Sequence, residues 1–436
     1  MKFPFKLLSL LLLSFLNFDA NAQHVITSDI DNFWKAYEKI TSTQDSILQI
    51  KYLNEFYLNK GTPGLNAIRK ARNYTDQDYL SAIHNYPKFW ASVKSNTLKA
   101  KTIATELELG IAKFGKLYPE LKPADIYFTI GALRTNGTFS DNLVLIGSEF
   151  AMADKNTITS EFPENIRMGR RAYFDSNPIE NIVLLNIHEY VHTQQKPVAQ
   201  NLLAYVVNEG VAEFVSEKVM GKPSVVPAVK YGKSNYEKVN AKFEQEMFYL
   251  NNQSKWLWSD APNEFGVRDL GYYIGYQICE NFYNKAIDKK EAVKKLIAID
   301  YHNQTEFEAF VNGTNFFSKP VEKLKQEFEK TRPTVIGIKE FANNSVNVNS
   351  KTKEITIQFS EPLNGFNTGI DYGELGETAF PKNDVRKRHW AEDKKSWSIP
   401  VSLIPNKKYQ LLITDNFRTK SSIPLKQYLI EFQTGE

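Results

Sequence analysis

The sequence runs to 436 residues, 42% hydrophobic, 13% aromatic and 24% charged, a mix that excludes a disordered or collagen-like chain. Its 54 Lys and Arg against 50 Asp and Glu leave a formal charge of +4, too slight an excess to mark a nucleic-acid-binding surface. A single cysteine, Cys279, excludes an internal disulfide framework and any Cys-rich zinc module.

Residues 1–22 read as a secretory signal. Lys2 and Lys6 precede an apolar run from Leu7 to Leu16, and Ala20-Asn21-Ala22 supplies a small-residue cleavage site. The run is too short to span a bilayer. No cysteine follows it, so a lipoprotein anchor is not expected. The mature chain is expected to begin near Gln23, to be secreted or periplasmic, and to insert in no membrane after signal cleavage.

From Ser28 to about Pro119 the pattern is helical. Ile30, Phe33, Trp34 and Tyr37 form an i, i+3, i+4, i+7 stripe, and further helices are expected over 43–58, 75–95 and 97–116. His84, like His24 and His389, is isolated. After Pro123, residues 125–131 and 142–147 read as strands with Asn136-Gly137 as the turn signal between them. Helical patterning then resumes to about Lys330. Beyond Pro333 come short β-branched or alternating runs at 355–359, 398–401, 409–413 and 428–432, separated by Asn, Gly and Pro turns. The basic run Arg386-Lys387-Arg388 falls in a solvated loop there. The expected organisation is α+β: an N-terminal helical region over 23–119, a mostly helical domain with a small sheet over 120–332, and an all-β sandwich over 333–436.

His188-Glu189-Tyr190-Val191-His192 carries the chemistry. Histidines four apart on a helix share one face and reach one ion, while Glu189 lies beside it as an acceptor for a proton from bound water. Asn177, Pro178 and Glu180 read as a cap and capping box for that helix. With 6 His in 436 residues, chance supplies about 0.005 such motifs. Gln195 and Val198 stand where metzincins need Gly and His. The next helix carries Asn208-Glu209-Gly210-Val211-Ala212-Glu213.

These two motifs together resemble the gluzincin peptidases, the clan of thermolysin and the alanyl aminopeptidases. The resemblance implies a zincin-like catalytic region in which His188, His192 and Glu209 hold Zn2+, Glu189 is general base, and Glu213 orients a ligand histidine. It further implies a Tyr donor to the oxyanion, for which Tyr272 is favoured over Tyr276, and a peptide or protein substrate. The amine-binding motif of the aminopeptidases is missing at Gly131-Ala132-Leu133-Arg134-Thr135, which favours an endopeptidase. Arg268 reads as one half of a surface ion pair, and Cys279 as a small buried hydrophobe. The segments "ITIQFSEPLN", "LIPNKKYQLLI" and "IPLKQYLIEFQTG" resemble the bacterial Ig-like domains of surface proteins. The competing expectation is a non-catalytic surface or binding protein with a structural or vestigial zinc site. Oligomeric state is open.

Overall fold

Capping side chains and prolines set several of the helix starts in the first hundred residues. The computed structural model describes residues 25–259 and 263–436; the expected signal at 1–22 lies outside them. Helix α1 (Ser28–Thr41) buries Ile30, Phe33, Trp34 and Ile40. Asp45 accepts from the N–H groups of Ile47 and Leu48 to start α2 (Ser46–Phe56), and Thr62 accepts from Leu65 ahead of Pro63 to start α3 (Pro63–Arg72). Thr75 and Asp78 form a capping box for α4 (Asp76–Asn85). The single helix expected over 75–95 is two, because Pro87 lacks the N–H to continue α4 and instead opens α5 (Pro87–Thr97). Helix α6 (Ala100–Leu117) closes the series.

A four-stranded sheet follows, in the order β1-β2-β4-β3. Strands β1 (Val25–Ile26), β2 (Asp125–Thr129) and β4 (Leu143–Gly147) run parallel, and β3 (Gly137–Ser140) is an antiparallel edge on β4. Gly137 begins β3 rather than turning the chain. The reversal lies at Asp141-Asn142, with Asp141 at φ 51°, the left-handed conformation a two-residue hairpin turn demands.

Short α7 (Ser148–Ala151) and α8 (Glu164–Asp175) lead to α9 (Ile182–His192), which buries Ile182, Leu184, Ile187 and Val191. The Tyr190 hydroxyl accepts from the Ala124 N–H at 2.9 Å and fastens α9 to the approach to β2. The capping box expected at Asn177 does not form. Asn177 is left-handed, its Oδ1 accepts from the Lys155 N–H, and a 3-10 turn over Pro178–Asn181 precedes the helix. Helix α10 (Leu202–Met220) is capped by Asn201 and buried over nearly its whole length. Then come α11 (Pro227–Ser234), α12 (Tyr236–Glu246), α13 (Gln253–Trp256), α14 (Leu270–Lys285), α15 (Lys289–Ile297), α16 (Gln304–Gly313) and α17 (Val321–Thr331). No helix among the described residues is long and apolar enough to cross a membrane.

Two compact units divide the chain. The first holds the described residues up to Val239 together with Ser254–Phe316; the second holds Asn240–Gln253 and Phe317–Glu436, so that α17 clusters with it. The second unit contains two small sheets. One has the order β5-β6-β10-β8, with β9 also on β10: β5 (Val335–Ile338), β6 (Glu354–Phe359), β8 (Lys382–Asn383), β9 (His389–Trp390) and β10 (Ser396–Ser402). The other is β12-β11-β7: β7 (Ile370–Asp371), β11 (Lys408–Ile413) and β12 (Tyr428–Gln433). Their inward residues, Ile355, Ile357, Trp397 and Ile399 from one and Leu411, Ile413, Ile430 and Phe432 from the other, make one core. The chain is α+β.

Candidate metal centre

Helices α9 and α10 each present two side chains one turn apart to the same point, His188 with His192 and Glu209 with Glu213. His188 Nε2 lies 3.1 Å from His192 Nε2, and Glu209 Oε2 is 3.3 Å from each. All three residues are buried. A tetrahedral ion held by nitrogen and oxygen donors at roughly 2.0–2.1 Å places those donors about 3.3 Å apart. The three atoms therefore form one face of such a tetrahedron. Glu209 Oε2 is buried with no hydrogen-bond partner, an acceptor whose desolvation a proton on either imidazole or a metal ion would offset.

The far side of each donor is held as a metal ligand requires. His188 Nδ1–H donates to Glu213 Oε2 at 2.9 Å, and Ser224 Oγ donates to the other oxygen of Glu213. His192 Nδ1–H donates to Gln195 Oε1 at 2.7 Å, the Gln195 amide being oriented by its own donation to the Asn208 carbonyl. Both imidazoles are thus fixed in the tautomer that turns the Nε2 lone pair toward Glu209. Tyr272 completes the pattern. Its ring stacks on His188 at 6.0 Å between centroids, its hydroxyl accepts from Trp258 Nε1 at 3.3 Å, and it lies near enough to the Glu209 carboxylate to feel its charge. Phe139, on edge strand β3, stacks on His192 at 5.0 Å and 19°.

Electrostatics point the same way. Burial alone pushes the His188 imidazole down, but the carboxylates of Glu209 and Glu213 outweigh it and hold the group at about 10. Burial raises Glu209, and His192 and His188 more than reverse this, holding its carboxyl well below the usual range. Burial and then the Glu209 charge push the Tyr272 phenol well above its ordinary value. A positive charge is what this pocket wants, whether as protons on imidazole or as a metal ion.

The other sequence candidates fall as follows. Glu189 is half-buried beside His188 on α9. Tyr276 is turned away, donating to Glu217 Oε2 at 2.8 Å. Arg268 pairs with Asp269 at 2.6 Å, and Cys279 is buried in α14. Gln195, Ser224, Trp258 and Phe139 were not singled out as site residues. Gln195 follows His192 by three residues, in the turn just beyond the end of α9; Trp258 and Phe139 arrive through tertiary structure alone.

The family model that matches is described as "Gliding motility protein GldB" and takes in residues 17–305, about two thirds of the sequence and every residue of this site. No curated protein matches. Among solved structures, the chain is similar to the S-layer protein rSbsC(31-844) at 10% identity and a TM-score of 0.18, covering 94% of this chain and 45% of that one. It is also similar to surface layer protein SbsC, domains 1-6, at 12% identity and a TM-score of 0.18, covering 76% of this chain and 46% of that one. The chain spans under half the length of either. The family match corrects the gluzincin resemblance, and with it the hydrolase and metalloprotease reading: the matching family is one of gliding motility, and no peptidase family matches. The physical reason is that two histidines one turn apart, followed by a carboxylate on the next helix, specify the geometry of a metal triangle and not the reaction at it.

Proposed function

The chain belongs to the gliding motility protein GldB family, and from that premise we propose that it is a non-catalytic cell-envelope protein whose buried triad holds a structural metal ion. The family match across all three donors carries the reading. The family is one of lipoproteins, which accords with export to the cell envelope. A signal cut after Ala22 and a periplasmic or surface location complete this proposal. Cys279, the only cysteine in the sequence, is buried and not available for lipid attachment.

Zinc is the metal we assign, since two imidazoles and a carboxylate with tetrahedral spacing match its preference for nitrogen and oxygen donors. When bound, it supplies a cross-link between α9 and α10. The chain's own residues do the rest: Glu213 and Gln195 set the imidazole tautomers, and the ring of Tyr272 packs on His188. The second unit, with two sheets on one core, is read as an Ig-like module that acts as spacer or contact surface, and the formal charge of only +4 over the whole sequence gives no reason to expect a nucleic-acid partner.

Gliding in cells separates this reading from catalysis. Glu209→Ala should abolish gliding, because the metal is lost, while Glu189→Gln, which leaves the three donors in place, should glide normally. Loss of gliding in Glu189→Gln with metal retained, or peptide hydrolysis by the wild type that Glu189→Gln abolishes, would overturn it.

A further inference from the structure

Trp258 is held in a conformation that its residue type resists. It lies at φ 57°, in the left-handed region where a bulky side chain is an outlier, and it is 48% exposed, so burial of its own ring does not explain the strain. Two contacts hold it there. Its backbone N–H donates to Asp269 Oδ1 at 2.7 Å, and its ring meets Tyr205 edge-on at 5.5 Å. Tyr205 lies one turn before Glu209 on α10, and Asp269 immediately precedes α14. The strained residue therefore spans the two helices that carry Glu209 and Tyr272.

What this placement achieves is a single directed contact, the donation from the indole N–H to Tyr272 Oη, and the ring of Tyr272 in turn stacks on His188 at 6.0 Å. The donation fixes where the phenol ring stands and so its packing on the imidazole. Glu209 Oε2 is left free to face the two Nε2 atoms. The far nitrogens of His188 and His192 are held through Glu213 to Ser224 and through Gln195 to the Asn208 carbonyl. Strain that persists at a surface position points to function rather than packing.

We infer that Trp258 is a positioning residue of the metal centre, acting through Tyr272 to fix the imidazole of His188 as a ligand. The inference rests on the reading that the triad binds a metal. Outer partners of metal ligands are worth 10- to 100-fold in affinity, and groups acting in series lose that factor once rather than twice.

Zinc affinity of the full chain, measured against a chromophoric chelator, tests this with Trp258→Phe, Tyr272→Phe and the double variant. Each single variant should bind zinc about tenfold or more weakly, and the double should be no weaker than the worse single. The visible spectrum of the cobalt-loaded protein should change alike in all three, while the melting temperature of the metal-free protein stays put. Asp269→Ala, which frees the Trp258 backbone, should weaken zinc in the same direction and serves if Trp258→Phe does not fold. A wild type that takes up no zinc overturns the metal reading and this inference together. Zinc uptake with unaltered affinity and cobalt spectrum in Trp258→Phe, or strictly additive losses in the double variant, overturns this inference alone.

Discussion

Gly210 and Gly275 meet backbone to backbone where α10 crosses α14. A Cβ added at Gly210 would lie 2.0 Å from the Gly275 carbonyl carbon, and one added at Gly275 would lie 1.7 Å from the Val206 carbonyl oxygen. Both atoms are main chain, so nothing yields short of moving a helix. This contact lets α14 lie close enough for Tyr272 to stack on His188.

Gly275→Ala should therefore cost about 3 kcal/mol or more, at the upper end of overpacking penalties. Zinc affinity should fall as well, since the displaced helix carries Tyr272. Denaturant unfolding of the metal-free protein, alongside zinc titration, reads both effects. A variant of unchanged stability would mean that the helices separate without cost, and that glycine is not what sets their distance.

A bound metal stabilises only the folded chain, so its removal should be visible in unfolding. At a free zinc concentration 100 times the dissociation constant the gain is about 2.7 kcal/mol. A chelator should lower the wild-type melting temperature and leave that of Glu209→Ala unmoved. A wild type indifferent to chelator, with zinc supplied beforehand, would speak against a metal at His188, His192 and Glu209.

Much of this centre was legible in the sequence because helical spacing is a local property. His188 and His192, then Glu209 and Glu213, each fall one turn apart, which puts each pair on one helical face. The elements fared similarly where caps were strong, as at Thr75, and poorly where the signal was generic. Asn136-Gly137 looks like a turn, yet its glycine opens an edge strand and Asp141-Asn142 makes the reversal. Asn177 has the composition of a cap but is used left-handed, with its side chain spent on the Lys155 N–H. Trp258 reaches Tyr272 across 14 residues of sequence and Phe139 reaches His192 across 53, through contacts that no spacing encodes. The function was misread for a separate reason. Spacing fixes where an ion can sit, whereas catalysis depends on what can approach it.

Glu213 is the most direct test of the outer partners. With His188 Nδ1–H on one oxygen and Ser224 on the other, both acceptors of its buried carboxylate are in use. Glu213→Gln keeps the volume and removes the charge that raises the ligand's basicity, so zinc should bind roughly 10- to 100-fold more weakly. Ser224→Ala should act in the same direction by less. Equal zinc affinity in Glu213→Gln and wild type, measured by chelator competition, would reduce Glu213 to a packing residue.

A second buried carboxyl, away from the metal, sets a pH dependence. Glu149 is fully buried in α7, just after β4, where it accepts from the N–H groups of Gly131 and Leu133. Burial pushes it up from 4.5 to about 7, those backbone donors and the more distant Arg170 only partly opposing. The folded chain therefore holds this proton over a range in which the unfolded chain has released it. Stability from the group is complete below pH 4.5, falls as pH rises toward 7, and is level above that. A displacement from 4.5 to about 7 corresponds to about 3 kcal/mol across the window. Glu149→Gln cannot titrate, so the difference in unfolding free energy between wild type and variant should slope over this range and flatten above it, with chelator present to silence the metal centre. A difference that stays constant from pH 4.5 to 8 would mean that Glu149 keeps an ordinary carboxylate's ionisation in the folded chain, and that the loop at Gly131 admits water to it.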